Sequence, residues 1–220
     1  MTTSSTARPG RASPAVDPVR RSTLKGPAED VAPRLLGALL THTTGEGTVT
    51  VRLTEVEAYG GAGEDPASHA HRGATRRNTS MFAEAGTLYV YFTYGMHWCA
   101  NVVTGPTGAA SAVLLRAGAV VEGLELARSR RPTAASDAAL ARGPANLAKC
   151  LGIDGALDGS NLLDPVGAVR LGTGRRVSPT RVVSGPRVGI RVALDRPWRW
   201  WVRDAPSVSR HRVSRADAPR

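Results

Sequence analysis

The chain has 220 residues, which is enough for one domain of ordinary size with its own hydrophobic core. Its 29 Lys and Arg outnumber 18 Asp and Glu, and the formal charge of +11 favours a polyanionic partner, first of all nucleic acid. Two cysteines exclude a disulfide framework and a four-cysteine zinc site, and they fit a reducing cytosol. The longest uncharged run, residues 85–115, contains Asn, His, Pro and several Gly, so it predicts buried strands with turns rather than a membrane span.

Both ends of the chain differ in composition from the middle. Residues 1–30 are rich in Ser, Thr, Pro and Arg and have almost no large apolar side chains, so they predict a disordered, basic arm. Residues 208–220 are again polar and predict a basic C-terminal tail. We therefore expect the folded domain over residues 31–207.

The first predicted element is a short amphipathic helix over residues 32–43, where leucines recur at helical spacing. Residues 48–59 alternate in polarity and predict a strand. Val49, Val51 and Leu53 alternate with polar residues. Glu55, Glu57 and Tyr59 continue the same odd-numbered positions, as in a strand that runs from the core into a cleft. Residues 60–77 predict a long loop, and loops of that length in compact domains are usually functional.

Further along the chain, residues 87–103 predict two strands joined by a tight turn at Tyr94 and Gly95. Two helices are predicted over residues 123–130 and 146–151, and the second is entered through Pro144, a residue favoured at the first helical position. The remaining predicted elements are a buried strand over residues 112–116 and two final strands over residues 187–193 and 198–202.

All four tyrosines lie within 36 residues of the chain, at positions 59, 89, 91 and 94. Strands collect tyrosine, so Tyr89 on its own is explained equally well by β-propensity. Together they are typical of a stacking pocket, in which flat side chains hold a nucleobase lifted out of a duplex. Glu57 and Tyr59 lie two residues apart on one predicted strand, so they share a face, roughly 7 Å apart.

Two other patterns are weaker. Glu55 and Glu57 could form an acid pair, although a glutamate on a strand is most often a solvent-facing charge. His69 and His71 have a spacing that could chelate a metal, with a histidine and a cysteine further along as conceivable ligands. Because there is no CxxC or HExxH motif, we predict no metal site.

Three ordered motifs resemble those of the alkyladenine (3-methyladenine) DNA glycosylase family. They are TEVEAYGGAGEDPASHAHRGATRRNTSMFAEAGTLYVYFTYGMHWCANVV, AVLLRAGAVVEG and RGPANLAKCLGI, and the resemblance extends from about Ala32 to Ser209. It implies a single mixed α/β domain with a curved, largely antiparallel sheet, packed helices and a DNA-intercalating β-hairpin. It also implies a monomer that needs no cofactor and no metal and acts in the bacterial cytosol or nucleoid.

The resemblance implies a role for particular residues. Glu57 matches the general base that activates water, with Glu55 in support, and Arg116 matches an arginine near the reacting sugar, phosphate and water. Tyr94 matches a wedge that enters the minor groove. The base pocket is implied at Tyr59, His69, Tyr91 and Asn101, of which Asn101 helps exclude unmodified guanine, and contacts with the DNA backbone or groove at Arg72, Arg77 and Met96.

The implied activity is that of a monofunctional DNA glycosylase, which removes damaged purines from double-stranded DNA by hydrolysing the N-glycosidic bond. Hypoxanthine and ethenoadenine are candidate lesions beside 3-methyladenine. Lesion preference stays open, because Arg76, His71 and His97 stand at positions where the family usually has other residues. Two alternatives are a catalytically silent DNA- or RNA-binding module, against which Glu57 argues, and a metal-dependent nuclease, for which an acidic cluster is missing.

Overall fold

The chain forms eight strands of one open, antiparallel sheet in the structure, a computed structural model that describes residues 17–209. The strands are β1 (Leu39–Thr44), β2 (Gly47–Tyr59), β3 (Leu88–Thr93), β4 (His97–Thr104), β5 (Ser111–Glu122), β6 (Val169–Gly172), β7 (Val182–Gly185) and β8 (Arg199–Val202). The mixed single domain expected from the sequence is thereby confirmed.

Three short α-helices pack around the sheet: α1 (Ala28–Val31), α2 (Leu124–Arg130) and α3 (Pro144–Leu151). The third begins at Pro144, as predicted, and ends at Gly152, whose φ of 71° is a left-handed conformation that glycine adopts without strain. Single 3₁₀ turns lie at Arg21–Leu24, Ala32–Leu35, Thr79–Phe82, Asp137–Ala139, Gly155–Leu157 and Pro179–Arg181. No helix within residues 17–209 is both long and apolar enough to cross a membrane.

The strand order β3-β4-β5-β2-β1-β6 places the long strand β2 at the centre of the sheet. One edge of β2 pairs with β5 along most of its length. The other edge pairs first with β1 and then, from Glu55 to Glu57, with β8, which in turn pairs with β7. The end of β2 is therefore held between two strands on which Arg116 and Arg199 lie.

The register of β2 against β5 shifts on both sides of Glu55. Such a bulge redirects the side chains that follow it. Odd-numbered residues up to Leu53 belong to the apolar core, whereas after the bulge the core residues are the even-numbered Val56 and Ala58. The sequence pattern predicted one face for these acids and the apolar residues before them, in a strand that runs from the core into a cleft. The strand does end at a cleft, which Tyr59 lines, but the shared face is wrong, because the bulge turns Glu55 and Glu57 toward a different face.

The helix predicted over residues 32–43 is also wrong. Only a 3₁₀ turn is present there, and β1 begins at Leu39. Gly37 has a φ of 87°, and a β-carbon at this position would lie 2.3 Å from the Arg175 carbonyl oxygen, so the chain turns sharply there. The threonines that follow are β-branched and pair with β2.

Outcomes near the C-terminus are mixed. The strand predicted over residues 187–193 is wrong, because this segment is irregular and lies along a cleft. The predictions for residues 112–116, 123–130, 146–151 and 198–202 are confirmed in type, although β5 runs further in both directions. The short strands β6 and β7 were not predicted.

The predicted disordered arm does not hold for residues 17–30. Leu24 is fully buried, and its carbonyl oxygen accepts a hydrogen bond from the Gly105 N–H. Ala28, also fully buried, joins the same apolar core. A few apolar side chains and backbone hydrogen bonds thus anchor this polar stretch to the domain. Residues 1–16 of the predicted arm and 210–220 of the predicted tail lie outside the described residues, whereas Ser209 contacts the domain.

A candidate active site in the central cleft

A cleft of about 510 Å³ opens where β2, β3, β4 and β5 meet the loop over residues 60–77 and the segment 188–192. Residues that are far apart in sequence meet here because β2, β4 and β5 are neighbours in the sheet. Six residues to which the resemblance gives a role line it, namely Tyr59, His69, Tyr91, Tyr94, Asn101 and Arg116, and Tyr89 and His97 line it as well.

Glu57 lies directly beneath the cleft and is fully buried. Its Oε2 accepts hydrogen bonds from the Tyr59 hydroxyl at 2.9 Å and from Arg116 Nη1 at 3.2 Å. Its Oε1 accepts one from the Val188 N–H at 2.7 Å. Each carboxylate oxygen has two lone pairs, so within these contacts Oε1 retains one for a further donor such as water.

Two acids share the charge of one arginine behind the cleft. Arg116 donates from Nε to Glu55 at 2.9 Å while its Nη1 contacts Glu57. Burial alone would lower the pKa of Arg116, but the carboxylates of Glu57 and Glu55 outweigh it and raise this pKa. The guanidinium therefore stays protonated. Burial would likewise raise the pKa of Glu55, but Arg116, Arg199 and hydrogen bonds from Ser209 lower it, so this acid stays ionised.

Tyr59 connects the acid to the aromatic wall of the cleft. Burial, together with the nearby Glu57 charge, raises the pKa of Tyr59 well above its usual range, so the phenol keeps its proton and donates a hydrogen bond to Glu57. The guanidinium of Arg187 lies 4.8 Å from the centroid of the Tyr59 ring and covers one face. The ring and the carboxylate are therefore held as one unit, as the strand pattern predicted.

The opposite wall consists of Tyr89, Tyr91 and His69. The His69 and Tyr91 rings meet edge to face, with centroids 4.5 Å apart, and the Tyr89 ring lies 5.6 Å from that of Tyr91. The Tyr89 hydroxyl lies 3.1 Å from His69 Nδ1. Burial and the charge of Arg77 lower the pKa of His69, so its ring is neutral at pH 7. Together with the Tyr59 ring, these rings line an aromatic slot within the cleft.

The long loop that carries His69 is held by buried polar residues. Asn78 donates from Nδ2 to the carbonyl oxygens of His69 and Gly73, at 2.9 and 3.1 Å. Asp65 accepts from the Gly60 N–H and forms a fully buried ion pair with Arg187. This pair could not be predicted from the sequence, because an Asp in a polar loop and an Arg in an apparent strand give no local signal of contact.

Asn101 lies on β4 opposite Tyr89 and is buried. It donates from Nδ2 to the Tyr89 carbonyl oxygen at 3.0 Å, which fixes the orientation of its amide at the cleft wall. Cys99, two residues earlier on the same strand, also lines the cleft, and burial raises the pKa of its thiol. The wall there is thus one fixed amide beside a neutral thiol.

The hairpin between β3 and β4 turns at Tyr94 and Gly95, as predicted. Both residues have positive φ, 51° and 64°, and the Met96 N–H donates to the Thr93 carbonyl oxygen. A left-handed conformation is unusual for a bulky residue such as tyrosine, and strained residues of this kind cluster at functional sites. The Tyr94 side chain is 81% exposed. The turn thus combines an unusual backbone conformation with an aromatic ring that faces solvent.

Met96, on the same tip, is 68% exposed, and Arg72 and Arg77 are exposed on the neighbouring loop. Arg77 donates from Nη2 to the Phe92 carbonyl oxygen, which ties the loop to the hairpin. Arg191, in the segment that lines the cleft, is also exposed and was not among the predicted site residues. Exposed cations thus lie both on the loop tied to the hairpin and on the lining of the cleft.

No three His, Cys, Asp or Glu side chains within residues 17–209 are grouped so that they could hold a metal ion. The spacing of His69 and His71 does not bring a third ligand to them. His69 instead contacts the two tyrosines of the cleft wall.

Comparisons with known proteins bear on this cleft. A family model described as methylpurine-DNA glycosylase (MPG) matches residues 22–206, which include every cleft-lining residue. A protein of Nocardia farcinica is 54% identical over 189 residues, 83% of this chain and 86% of the relative. A protein of Streptomyces avermitilis is 50% identical over 204 residues, which are 92% of this chain and 95% of the relative. A protein of Leifsonia xyli is 53% identical over 187 residues, which are 82% of this chain and 86% of the relative. All three are named "Putative 3-methyladenine DNA glycosylase".

Proposed function

Because the chain belongs to the methylpurine-DNA glycosylase family, whose members hydrolyse the N-glycosidic bond, we propose that it removes alkylated or deaminated purines from duplex DNA with a water activated by Glu57. The observation that carries this proposal is the position of the buried Glu57 carboxylate, between Arg116 and Tyr59, under an aromatic slot. A pure binding module has no use for a buried carboxylate at a site that faces phosphates.

In the proposed reaction a water attacks C1′ of the deoxyribose, and the C1′–N bond breaks as positive charge develops on the sugar. The Glu57 carboxylate takes a proton from the water and opposes that charge. Arg116 orients Glu57 and lies where the sugar and phosphate of the flipped nucleotide would enter. An N-alkylated purine such as 3-methyladenine is already cationic and leaves easily, whereas hypoxanthine and ethenoadenine leave with a proton delivered to the base.

The aromatic slot is the proposed base pocket. The open face of Tyr59, opposite Arg187, would stack on one side of the flipped purine, and Tyr91 with His69 would contact the other side. Asn101 is held by its bond to the Tyr89 carbonyl oxygen, so its position is fixed against the base edge. We propose that this amide helps to exclude unmodified guanine.

The exposed hairpin tip is the proposed DNA wedge. Tyr94 would fill the gap that the extruded nucleotide leaves, with Met96 in the groove. Arg72 and Arg77 would contact the DNA backbone from the adjacent loop. Phe92 and Trp98 pack across the hairpin with ring centroids 4.7 Å apart, which stiffens it behind the tip. Every residue in this proposal comes from one chain, so we propose that the enzyme acts as a monomer.

Truncation of the wedge tests its role. We expect Tyr94→Ala to reduce the flipped population, because nothing then occupies the vacated stack and unstacking costs about a few kcal/mol. A fluorescent base analogue at the lesion reports flipping directly. Val166→Ala, which truncates another exposed apolar side chain, serves as the control. Unchanged flipping in Tyr94→Ala would assign the wedge to Met96 or His97 instead.

The reaction itself is tested by incubating the purified protein with duplexes that carry 3-methyladenine, hypoxanthine or ethenoadenine, with and without EDTA. We expect free base and an intact abasic site, and excision that survives EDTA. The only lysines, Lys25 and Lys149, do not line the cleft, so borohydride should trap no covalent complex with DNA. Binding without base release would favour a silent nucleic-acid-binding module, and strand cleavage that EDTA abolishes would favour a nuclease.

A further inference from the structure

After β8 the chain runs back to β2, and Ser209 is the last residue that the structure describes. Ser207 is buried, and its hydroxyl lies 2.9 Å from that of Thr54. Ser209 then contacts Glu55 twice, from its N–H to Oε2 and from its hydroxyl to Oε1, both at 2.7 Å. This short segment therefore docks on two consecutive residues of β2 beside the bulge.

Glu55 is fully buried and is the centre of a hydrogen-bond network with two buried arginines and the half-buried Ser209. Its Oε1 accepts from Arg116 Nε at 2.9 Å and from Arg199 Nε at 2.7 Å, besides the Ser209 hydroxyl. Arg199 also donates from Nη2 to the Ser209 carbonyl oxygen at 3.0 Å. Ser209 thus supplies two hydrogen bonds to the acid and one acceptor to a neighbouring arginine.

The planar guanidinium of Arg116 transmits this arrangement to Glu57. Because Nε and Nη1 lie in one rigid plane, the direction of the Nε bond to Glu55 sets the direction in which Nη1 meets Glu57. The Ser209 hydroxyl also lies 3.5 Å from Arg116 Nη2. Without that hydroxyl, Oε1 of Glu55 would be held by the two arginines alone, and a shift of this oxygen toward Arg199 would rotate Arg116.

We propose that Ser209 is a positioning residue of the active site, which acts through Glu55 to hold Arg116 in register with Glu57. The proposal rests on the proposed glycosylase function and adds that the C-terminal segment completes the catalytic centre. Ser209 itself does not line the cleft. Its effect should therefore appear in the chemical step and not in DNA binding.

The test compares Ser209→Ala with Ser207→Ala, a matched control that removes a neighbouring hydroxyl bonded to Thr54 instead of Glu55. Three quantities are measured: the single-turnover excision rate on saturating lesion duplex, the Kd for a duplex with a non-hydrolysable abasic analogue, and the melting temperature. We expect Ser209→Ala to lose at least about tenfold in rate, as for one hydrogen bond to a charged group, with Kd unchanged. Ser207→Ala should keep the wild-type rate, although its melting temperature should fall about as far as that of Ser209→Ala, because each variant loses a hydroxyl that is bonded to β2.

Ser209→Thr retains the hydroxyl and should restore the rate. Ser209→Cys retains the volume but donates only weakly, so it should lose rate as the alanine variant does. The proposal is overturned if Ser209→Ala excises at the wild-type rate, if Ser207→Ala loses as much, or if threonine does not restore activity. Wild-type protein that releases no base would instead overturn the proposed function, so the two failures are distinct.

Discussion

Glu57→Gln is expected to abolish base excision while the affinity for a lesion duplex stays within about tenfold of wild type, because the amide keeps the shape of the carboxylate. The amide cannot accept a proton from water and cannot oppose the positive charge on the sugar. The loss should therefore exceed the ~10²–10⁴-fold that general base catalysis alone supplies. Single-turnover release of 3-methyladenine and binding of the same duplex measure the two effects separately.

Substitutions of two other glutamates, Glu64 and Glu55, are compared with Glu57→Gln. Glu64→Gln changes an exposed carboxylate that accepts only from the Gly61 N–H in the adjacent loop, so it should leave excision near the wild-type rate. Glu55→Gln is a poorer control than the sequence suggests, because this acid is buried against Arg116 and Arg199. If Glu57→Gln were active and Glu55→Gln inactive, the general base would be Glu55, two residues earlier on β2, and the assignment of this role to Glu57 would be contradicted.

Local patterns predicted much of this site. The alternation of β2, the tight turn at Tyr94 and the clustered tyrosines are short-range signals. The strand spacing predicted that Tyr59 and Glu57 share a face, and in the structure the Tyr59 hydroxyl lies 2.9 Å from Glu57 Oε2. The parity of the acids relative to the core could not be predicted, because a bulge at Glu55 depends on how β5 and β8 flank β2. The pattern alone cannot show a register shift that neighbouring strands impose.

Long-range partners were beyond the sequence for a similar reason. Arg187 lies in a stretch whose composition resembles a strand, yet it folds back over Tyr59 and pairs with Asp65, 122 residues earlier. The leucines at 35–40 fit both a helix and the turn and strand observed, and only the close approach of Gly37 to Arg175 decides between them. Such contacts exist only after the sheet has assembled.

Asp65→Asn is expected to have the largest effect on stability, because it leaves the Arg187 guanidinium buried without a counter-charge. Both side chains are fully buried, and the pair is bidentate, with N–O distances of 2.6 and 2.9 Å. Breaking a buried pair on one side typically costs about 3–5 kcal/mol. The free energy of unfolding in urea measures the loss. Excision should fall as well, because Arg187 backs Tyr59 and Val188 beside it donates to Glu57.

The chain offers a matched surface pair. Arg128 and Asp137 form the same bidentate contact, at 2.9 and 3.0 Å, but both side chains are about half exposed, so Asp137→Asn should lower the free energy of unfolding far less than Asp65→Asn does. Replacing both buried partners, as in Asp65→Leu with Arg187→Met, should recover part of the stability that Asp65→Asn loses, since no charge is then stranded. Equal losses in the buried and the surface variants would contradict the role assigned to burial.

The stability difference between wild type and Asp65→Asn should also depend on pH. Burial would raise the pKa of Asp65, but the hydrogen bonds and charge of Arg187 outweigh it, and the net pKa lies below the usual range. The carboxylate form therefore stabilises the folded state fully above the unfolded-state pKa of about 3.9. As the pH falls through the lower folded-state pKa, Asp65 becomes protonated and resembles Asn, so the difference should shrink toward zero. Urea unfolding of both proteins from pH 7 down to the acid transition measures it, and a difference that grows on acidification would show that Asp65 is not the ionised partner of Arg187.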